Sequence, residues 1–292
     1  MATCPARAAL AGNPSDGYGG AVVAVPIPDL LATAVTTEAD RTTIHGDDPD
    51  LRRLLEATID GFSESVGSCP TVTISASTTI PRSVGLAGSS ALVLATLRSL
   101  GGWVERQWEQ VELAELALAI ERDRLGITAG LQDRLVQSVN RPVLMHFDPV
   151  SFETAPIPTT LPMFVAWHTG AAEPSDVVHR SLRRRFDAGD LEVVTAMREL
   201  AGQARCAHRA LVDGRPDLLA EAMDRSFDLR TSIIEVSELQ HRLVATGRRC
   251  GAAVNSAGSG GSVIGLAESP DDLPTLEQAY ASFGATFLPL TN

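Results

Sequence analysis

Apolar and polar positions alternate along the chain in two rhythms. Residues 20–28 (GAVVAVPIP) and 71–79 (TVTISASTT) are rich in β-branched side chains and bounded by Pro and Gly, which predicts strands. Residues 48–66 have helical spacing. From Ser89 to about Leu100 the run ALVLATLRSL is apolar on every side of a helix, which predicts a buried one. A long helix is predicted from about Glu105 to Arg124, carrying VELAELALAIERDR and stopping near Gly126. Residues 125–140 turn through a Gly-containing segment into another helix, and RPVLMHF at 141–147 reads as a strand. The stretch PVSFETAPIPTTLP at 149–162 holds four prolines and marks a domain boundary. Beyond it the pattern predicts a strand (MFVAWHT), two or three amphipathic helices between about 175 and 250, and a strand–Gly loop–strand element at 252–267. Strands mixed with helices, without regular β-α-β alternation, favour an α+β class. The division expected is 1–155 for the N-terminal domain and 156–292 for the C-terminal one.

Composition narrows this picture. With 44% hydrophobic residues in 292, a sizeable core can be buried. No apolar run approaches the roughly 20 residues that span a bilayer, and the N-terminus does not read as a leader, so no membrane partner and a cytoplasmic location are expected. The formal net charge of -12 argues against nucleic acid as a partner, though not against a small phosphate-bearing ligand. The four cysteines are scattered without a CxxC pair, and the six histidines show no metal-binding spacing. The chain contains no lysine; every one of its 24 basic side chains is arginine. That excludes a Walker A loop, a pyridoxal phosphate Schiff base and the protein-kinase scaffold, each of which needs one.

Four segments can carry chemistry. In PRSVGLAGSSA (81–91), Gly85 and Gly88 allow close backbone approach, and Ser89 and Ser90 open an apolar helix where N-cap residues belong. The first N–H groups of that helix and its macrodipole make an anion site that needs no lysine; serine hydroxyls can also bind phosphate or ligate Mg2+. Glu121 and Asp133 lie twelve residues apart across a turn and can converge on one cleft. One could hold Mg2+ and the other orient or deprotonate an attacking hydroxyl; the ordinary alternative is pairing with Arg122, Arg124 or Arg134. In PARAALAGNPSDGYGG (5–20), Arg7 and Asp16 lie beside glycine-rich backbone directly before a strand, where a plain Asx turn is the alternative. Residues 255–266 (NSAGSGGSVIGL) form a Gly/Ser loop that enters an apolar strand.

The order of these segments resembles the GHMP kinase family, named for galactokinase, homoserine kinase, mevalonate kinase and phosphomevalonate kinase. A first motif matches Pro5, Arg7, Leu10, Gly12, Asp16, Gly19 and Gly20; a second matches Pro81, Gly85, Leu86, Ser89, Ser90 and Ala91, with one extra residue at Ala87 or Gly88; a third matches Ser256 to Gly261. Within the family, NPSDGYGG and LGITAGLQDRLVQ look most like the glucuronokinases, which are sugar 1-kinases.

The resemblance implies an α+β, two-domain fold: a ribosomal-protein-S5-like N-terminal domain and a ferredoxin-like C-terminal domain, with ATP and a sugar between them. It further implies that Pro81, Gly85, Leu86, Ala87, Gly88, Ser89, Ser90 and Ala91 surround the ATP phosphates. Ser90 and Glu121 would ligate Mg2+, with Ser89 in place of Ser90 if the inserted residue shifts the register. Asp133 would be the base or orienting carboxylate, and Arg7 would lower the pKa of the acceptor hydroxyl or stabilise the transferred charge. Asp16, Arg82, Gly258, Gly260 and Gly261 would meet the acceptor. If that acceptor is a uronic acid, its carboxylate needs a cation, and Arg82, Arg134 and Arg180 are the candidates, while Arg183-Arg184-Arg185 reads as a solvated helix face. Other acceptors (heptose, galactose, mevalonate, an amino alcohol) and a non-catalytic ligand sensor on the same fold remain open, as do monomer and homodimer.

Overall fold

Two burial patterns within one strand organise the chain. Residues 21–27 are buried on nearly every position, whereas from Leu30 onward burial alternates residue by residue. The first pattern belongs to a strand covered on both faces, the second to a strand with one solvated face. The computed structural model describes residues 1–68, 70–156, 161–171 and 175–290, the side chains of 175–180 excepted. In chain order the elements are β1 (Ala2–Ala11), a 3-10 turn (Ser15–Tyr18), β2 (Ala21–Glu38), β3 (Thr43–His45), α1 (Pro49–Val66), β4 (Val72–Thr78), α2 (Gly88–Trp103) and α3 (Gln110–Ala119). A π-helical turn (Ile120–Arg124) continues α3. Then come α4 (Leu131–Val139), β5 (Val143–Phe147), β6 (Val150–Thr154), β7 (Met163–Trp167), α5 (Ser175–Asp187), α6 (Leu191–Asp213), α7 (Pro216–Ile233) and α8 (Glu238–Arg249). The last are β8 (Ala253–Ser256), β9 (Ser262–Leu266), α9 (Leu273–Ala281) and β10 (Thr286–Pro289).

By contact these form two units that interleave in sequence. The first comprises Met1–Ala6, Ile27–Pro81 and Ala87–Asn140; the second comprises Arg7–Pro26, Arg82–Leu86 and Arg141–Asn292. In the first unit the later part of β2 pairs antiparallel with β4, and β3 runs parallel to β4. Helix α1 packs on α2, and α2, α3 and α4 pack on one another. Leu55, Phe62, Ile74, Leu94 and Leu97 are completely buried there, each worth about 1.5–3 kcal/mol of transfer free energy. In the second unit the start of β2 pairs with β5, and β5 with β6. A separate antiparallel sheet runs β10-β7-β9-β8. Helices α7 and α8 pack on it around Phe164, Leu243, Val254 and Tyr280. Mixed helices and sheets of this kind are the α+β class expected.

Two local expectations need correction, and two strands carry no clear signal in the sequence. The predicted 105–124 helix begins only at Gln110, because Glu105 takes a left-handed φ of 57° and Glu109 is extended as the N-cap. Four helices rather than two or three occupy 175–250. The breaks fall at Asp190, which caps α6, at left-handed Gly214 followed by Pro216, and at Ser237, which caps α8. Strand β6 lies inside the proline-rich stretch, since Pro149 and Pro156 flank it rather than interrupt it. Strand β1 is alanine-rich and contains Pro5, so it lacks the β-branched signal, yet it is buried from Cys4 to Ala11. Among the described residues no helix is long and apolar enough to cross a membrane.

Candidate active site

Helix α2 begins without a side-chain cap. Its N-cap is Ala87, at a left-handed φ of 60°, so Ser89 and Ser90 stand inside the first turn rather than at the cap expected for them. Their hydroxyls are engaged elsewhere. Ser90 Oγ is buried and donates to Ala87 O at 3.1 Å and Gln137 Oε1 at 2.7 Å. Gln137 Nε2 in turn donates to Pro5 O (2.9 Å) and Ala87 O (3.0 Å), pinning the turn. Ser89 Oγ donates to Glu121 Oε1 at 2.8 Å. With no side chain accepting from its leading amides, α2 presents them and the positive end of its dipole to an anion. Gly88 opens the helix next to Ile80, Leu86 and Ala91 are buried, and Pro81 is half-buried.

Glu121 is fully buried in the π turn, a distortion that inserts one residue into the helical repeat. Its charge is met by Arg134 on α4. Nε donates to Oε2 at 2.7 Å, Nη2 donates to the same oxygen, and Nη1 donates to Gly130 O at 2.9 Å. A buried carboxylate without such a partner would carry a large desolvation penalty. Asp133, in the first turn of α4, is 24% exposed, and its Oδ2 lies 3.6 Å from Arg134 Nη1. The two carboxylates singled out from spacing therefore flank one guanidinium. Arg134, buried and bonded in this way, is not open to a carboxylate arriving from outside, which corrects its candidacy as a substrate cation. Arg124 pairs instead with Glu64, whose carboxyl its hydrogen bond holds below the usual range.

In the second unit, Arg7 is buried and ties two loops together. Its Nη1 donates to Gly85 O at 2.8 Å and to Ala257 O at 2.9 Å. The backbone adds Arg7 N to Leu86 O (3.3 Å) and Ala9 N to Ala257 O (2.8 Å). A Cβ on Gly258 would stand 2.2 Å from Gly85 O, and one on Gly85 would stand 2.7 Å from Gly260 O, so only glycine permits this approach. Gly261 N donates to Gln240 Oε1 (2.9 Å), and Ser262 Oγ to Val84 O (2.6 Å). Asp16 lies half-buried in the 3-10 turn. Beside it, Arg183 donates to Gly17 O and lies over the Tyr18 ring at 4.3 Å, while Arg185 pairs with Asp190 and Glu192. Arg183 and Arg184 are exposed, as a solvated helix face requires, while Arg185 is half-buried against its carboxylate partners. Arg82 is exposed on the loop after Pro81, and the side chain of Arg180 lies outside the described residues.

Two residues of these clusters escaped the sequence reading. Gln137 follows Asp133 by one helical turn, on the same face of α4. Arg230 is buried on α7, donating to Asn13 Oδ1 at 2.8 Å and to Ser259 O at 3.3 Å. Its signal was present: Arg230 falls in phase with the apolar stripe Leu219, Met223, Phe227, a position where a charge needs a reason.

Family models identify the chain at both ends. The model of the GHMP kinases N terminal domain matches residues 53–139, and that of the GHMP kinases C terminal region matches residues 207–286, together more than half of the chain. The chain belongs to the GHMP kinase family. Among curated members, it is 34% identical to probable glucuronokinase 2 of Arabidopsis thaliana over 226 residues, which is 73% of this chain and 62% of that protein. Glucuronokinase 1 of the same plant is 33% identical over 230 residues, 74% of this chain and 63% of the other. The matches thus span less than two thirds of those relatives' length. The GHMP kinase fold is also that of Lactococcus lactis galactokinase, whose crystal structure with galactose superposes with a TM-score of 0.80. It is 17% identical and covers 99% of this chain and 93% of its own.

Proposed function

We propose that this protein is an ATP-dependent kinase that transfers the γ-phosphoryl group to a sugar hydroxyl, with the anomeric hydroxyl of glucuronic acid as the first acceptor to test. The observation that carries this reading is the pair Ser89 Oγ and Glu121 Oε1, 2.8 Å apart beside the uncapped start of α2. Two hard oxygens at that separation fit Mg2+, since an octahedron with metal–oxygen distances of about 2.1 Å has edges of about 3.0 Å. Mg2+ held there would offset the charge of the phosphate oxygens. Ser90, turned toward Gln137, would serve the turn's shape, and Ser89 the metal.

On this reading the amides from Gly85 to Ser89 cradle the phosphates. Asp133 orients the acceptor hydroxyl in line, and Arg7 adds fixed positive charge while holding Gly85 against the third glycine loop. Asp16 and the Gly258–Gly261 loop meet the acceptor. The ATP-binding machinery then falls mainly within 1–155, with 156–292 supplying the third loop. The two Arabidopsis relatives are named glucuronokinases, which favours a uronic acid, and Arg82 is an exposed arginine suited to its carboxylate.

The test is ADP release over a panel of glucuronic acid, galactose, heptose, mevalonate and an amino alcohol, with the position of the new phosphate read by NMR. Glucuronic acid is expected to lead. If no acceptor raises ADP release above the acceptor-free rate, the protein is a ligand sensor and the proposal falls. Asp133→Asn is expected to lower kcat about a hundredfold or more while ATP affinity stays nearly unchanged.

A further inference from the structure

Arg134 departs from the usual behaviour of a buried counter-ion in how it distributes its donors. A guanidinium facing a carboxylate ordinarily bonds both oxygens, fork to fork. Here Nε and Nη2 both converge on Oε2 of Glu121, and Nη1 is held by Gly130 O. Among the described residues, Oε1 is left to Ser89 alone. The remaining edge of the same guanidinium stands 3.6 Å from Asp133 Oδ2.

We propose that Arg134 is a positioning residue that holds Glu121 by one oxygen and thereby presents the other, with Ser89 Oγ, as a two-oxygen seat for a divalent cation. The inference rests on the reading of Glu121 as a metal ligand given above. It assigns Arg134 no contact with substrate. The role needs a planar fork: a lysine at this position keeps the charge but has one nitrogen, which cannot reach Oε2 twice and Gly130 O at once. Groups that orient a ligand in this manner typically change metal affinity by about 10–100-fold when replaced.

The experiment is a Mn2+ titration in the presence of ADP, followed by electron paramagnetic resonance, on wild type, R134K, R134Q, E121Q and E121Q/R134Q. Thermal melts are recorded for each protein. The expected result is a Mn2+ Kd about 10–100-fold weaker in R134K and R134Q. The double variant should bind no more weakly than E121Q, because Arg134 acts only through Glu121. In turnover, R134K should raise the KM for Mg2+ by a similar factor. Should R134Q fail to fold, R134K retains the charge and the double variant removes both charges together, so the comparison survives. Wild-type Mn2+ affinity in R134K, or losses in the double variant that exceed those of E121Q, would overturn the inference. So would unchanged Mn2+ binding in E121Q, which removes its premise. A wild-type protein that binds Mn2+ as expected, with R134K weakened, yet phosphorylates no sugar would sustain the inference while sinking the proposed activity.

Discussion

Adjacent serines in the turn before α2 do different work, although their side chains are identical. Ser89→Ala removes an oxygen that faces Glu121, so a higher KM for Mg2+ in turnover is expected with little change in the melt. Ser90→Ala removes the acceptor-donor link to Gln137 inside the protein, and a loss of about 1–3 kcal/mol in denaturant unfolding is expected with Mg2+ dependence retained. The reverse pattern would return the metal to Ser90. Cys4 gives a second prediction at this scale. Burial raises its thiol from 9.0 to about 12. The folded state therefore keeps the proton that the unfolded chain gives up first. Its contribution to stability is intact below pH 9 and is lost as pH rises from there to about 12. Unfolding measured at pH 8 and pH 10.5 should show a steeper decline in wild type than in Cys4→Ala; equal declines would exclude the buried thiol as its source.

The elements show why some features were legible in the sequence and others were not. The start of α1 is written plainly: Asp48 accepts from the amides of Asp50 and Leu51, and Pro49 opens the first turn. Asp48→Ala should lower stability by about 1 kcal/mol, read from the denaturant midpoint. The start of α2 is not legible in that manner. Two serines suggest a cap, but the left-handed step is taken by Ala87, a residue with no preference for it, and the loop's extra residue hides the register. The glycine loops were recognisable as close approaches, though not what they approach. Gly258→Ala would drive a Cβ to 2.2 Å from Gly85 O and should destabilise by about 1–3 kcal/mol, visible as a lower Tm. Glu121 and Asp133 were found by residue type and spacing, while their shared guanidinium was not. Whether Glu121 pairs with Arg122, Arg124 or Arg134 depends on how the π turn rotates α3 against α4, and no local pattern encodes that rotation.

At the scale of the whole molecule, the absence of lysine and the order of three motifs were sufficient to reach the family, and the α+β class followed from element order. The interleaving of the two units was not legible, because periodicity reports which face is buried and not which distant segment buries it. That interleaving bears on how the chain is made. Leu10 O accepts from Asn255, 245 positions later, and Arg7 bonds Ala257 O across 250 positions. At a usual elongation rate of about 5–20 residues per second, Arg7 and Leu10 are synthesised on the order of ten to fifty seconds before Asn255 and Ala257 exist. The second unit therefore closes only near the end of translation, whereas every segment of the first unit has left the peptidyl-transferase centre once Asn140 is added. Nascent chains arrested once residue 140 has emerged from the ribosome should already protect the first unit from protease, and protection of residues 7–26 should appear only after 257 has emerged.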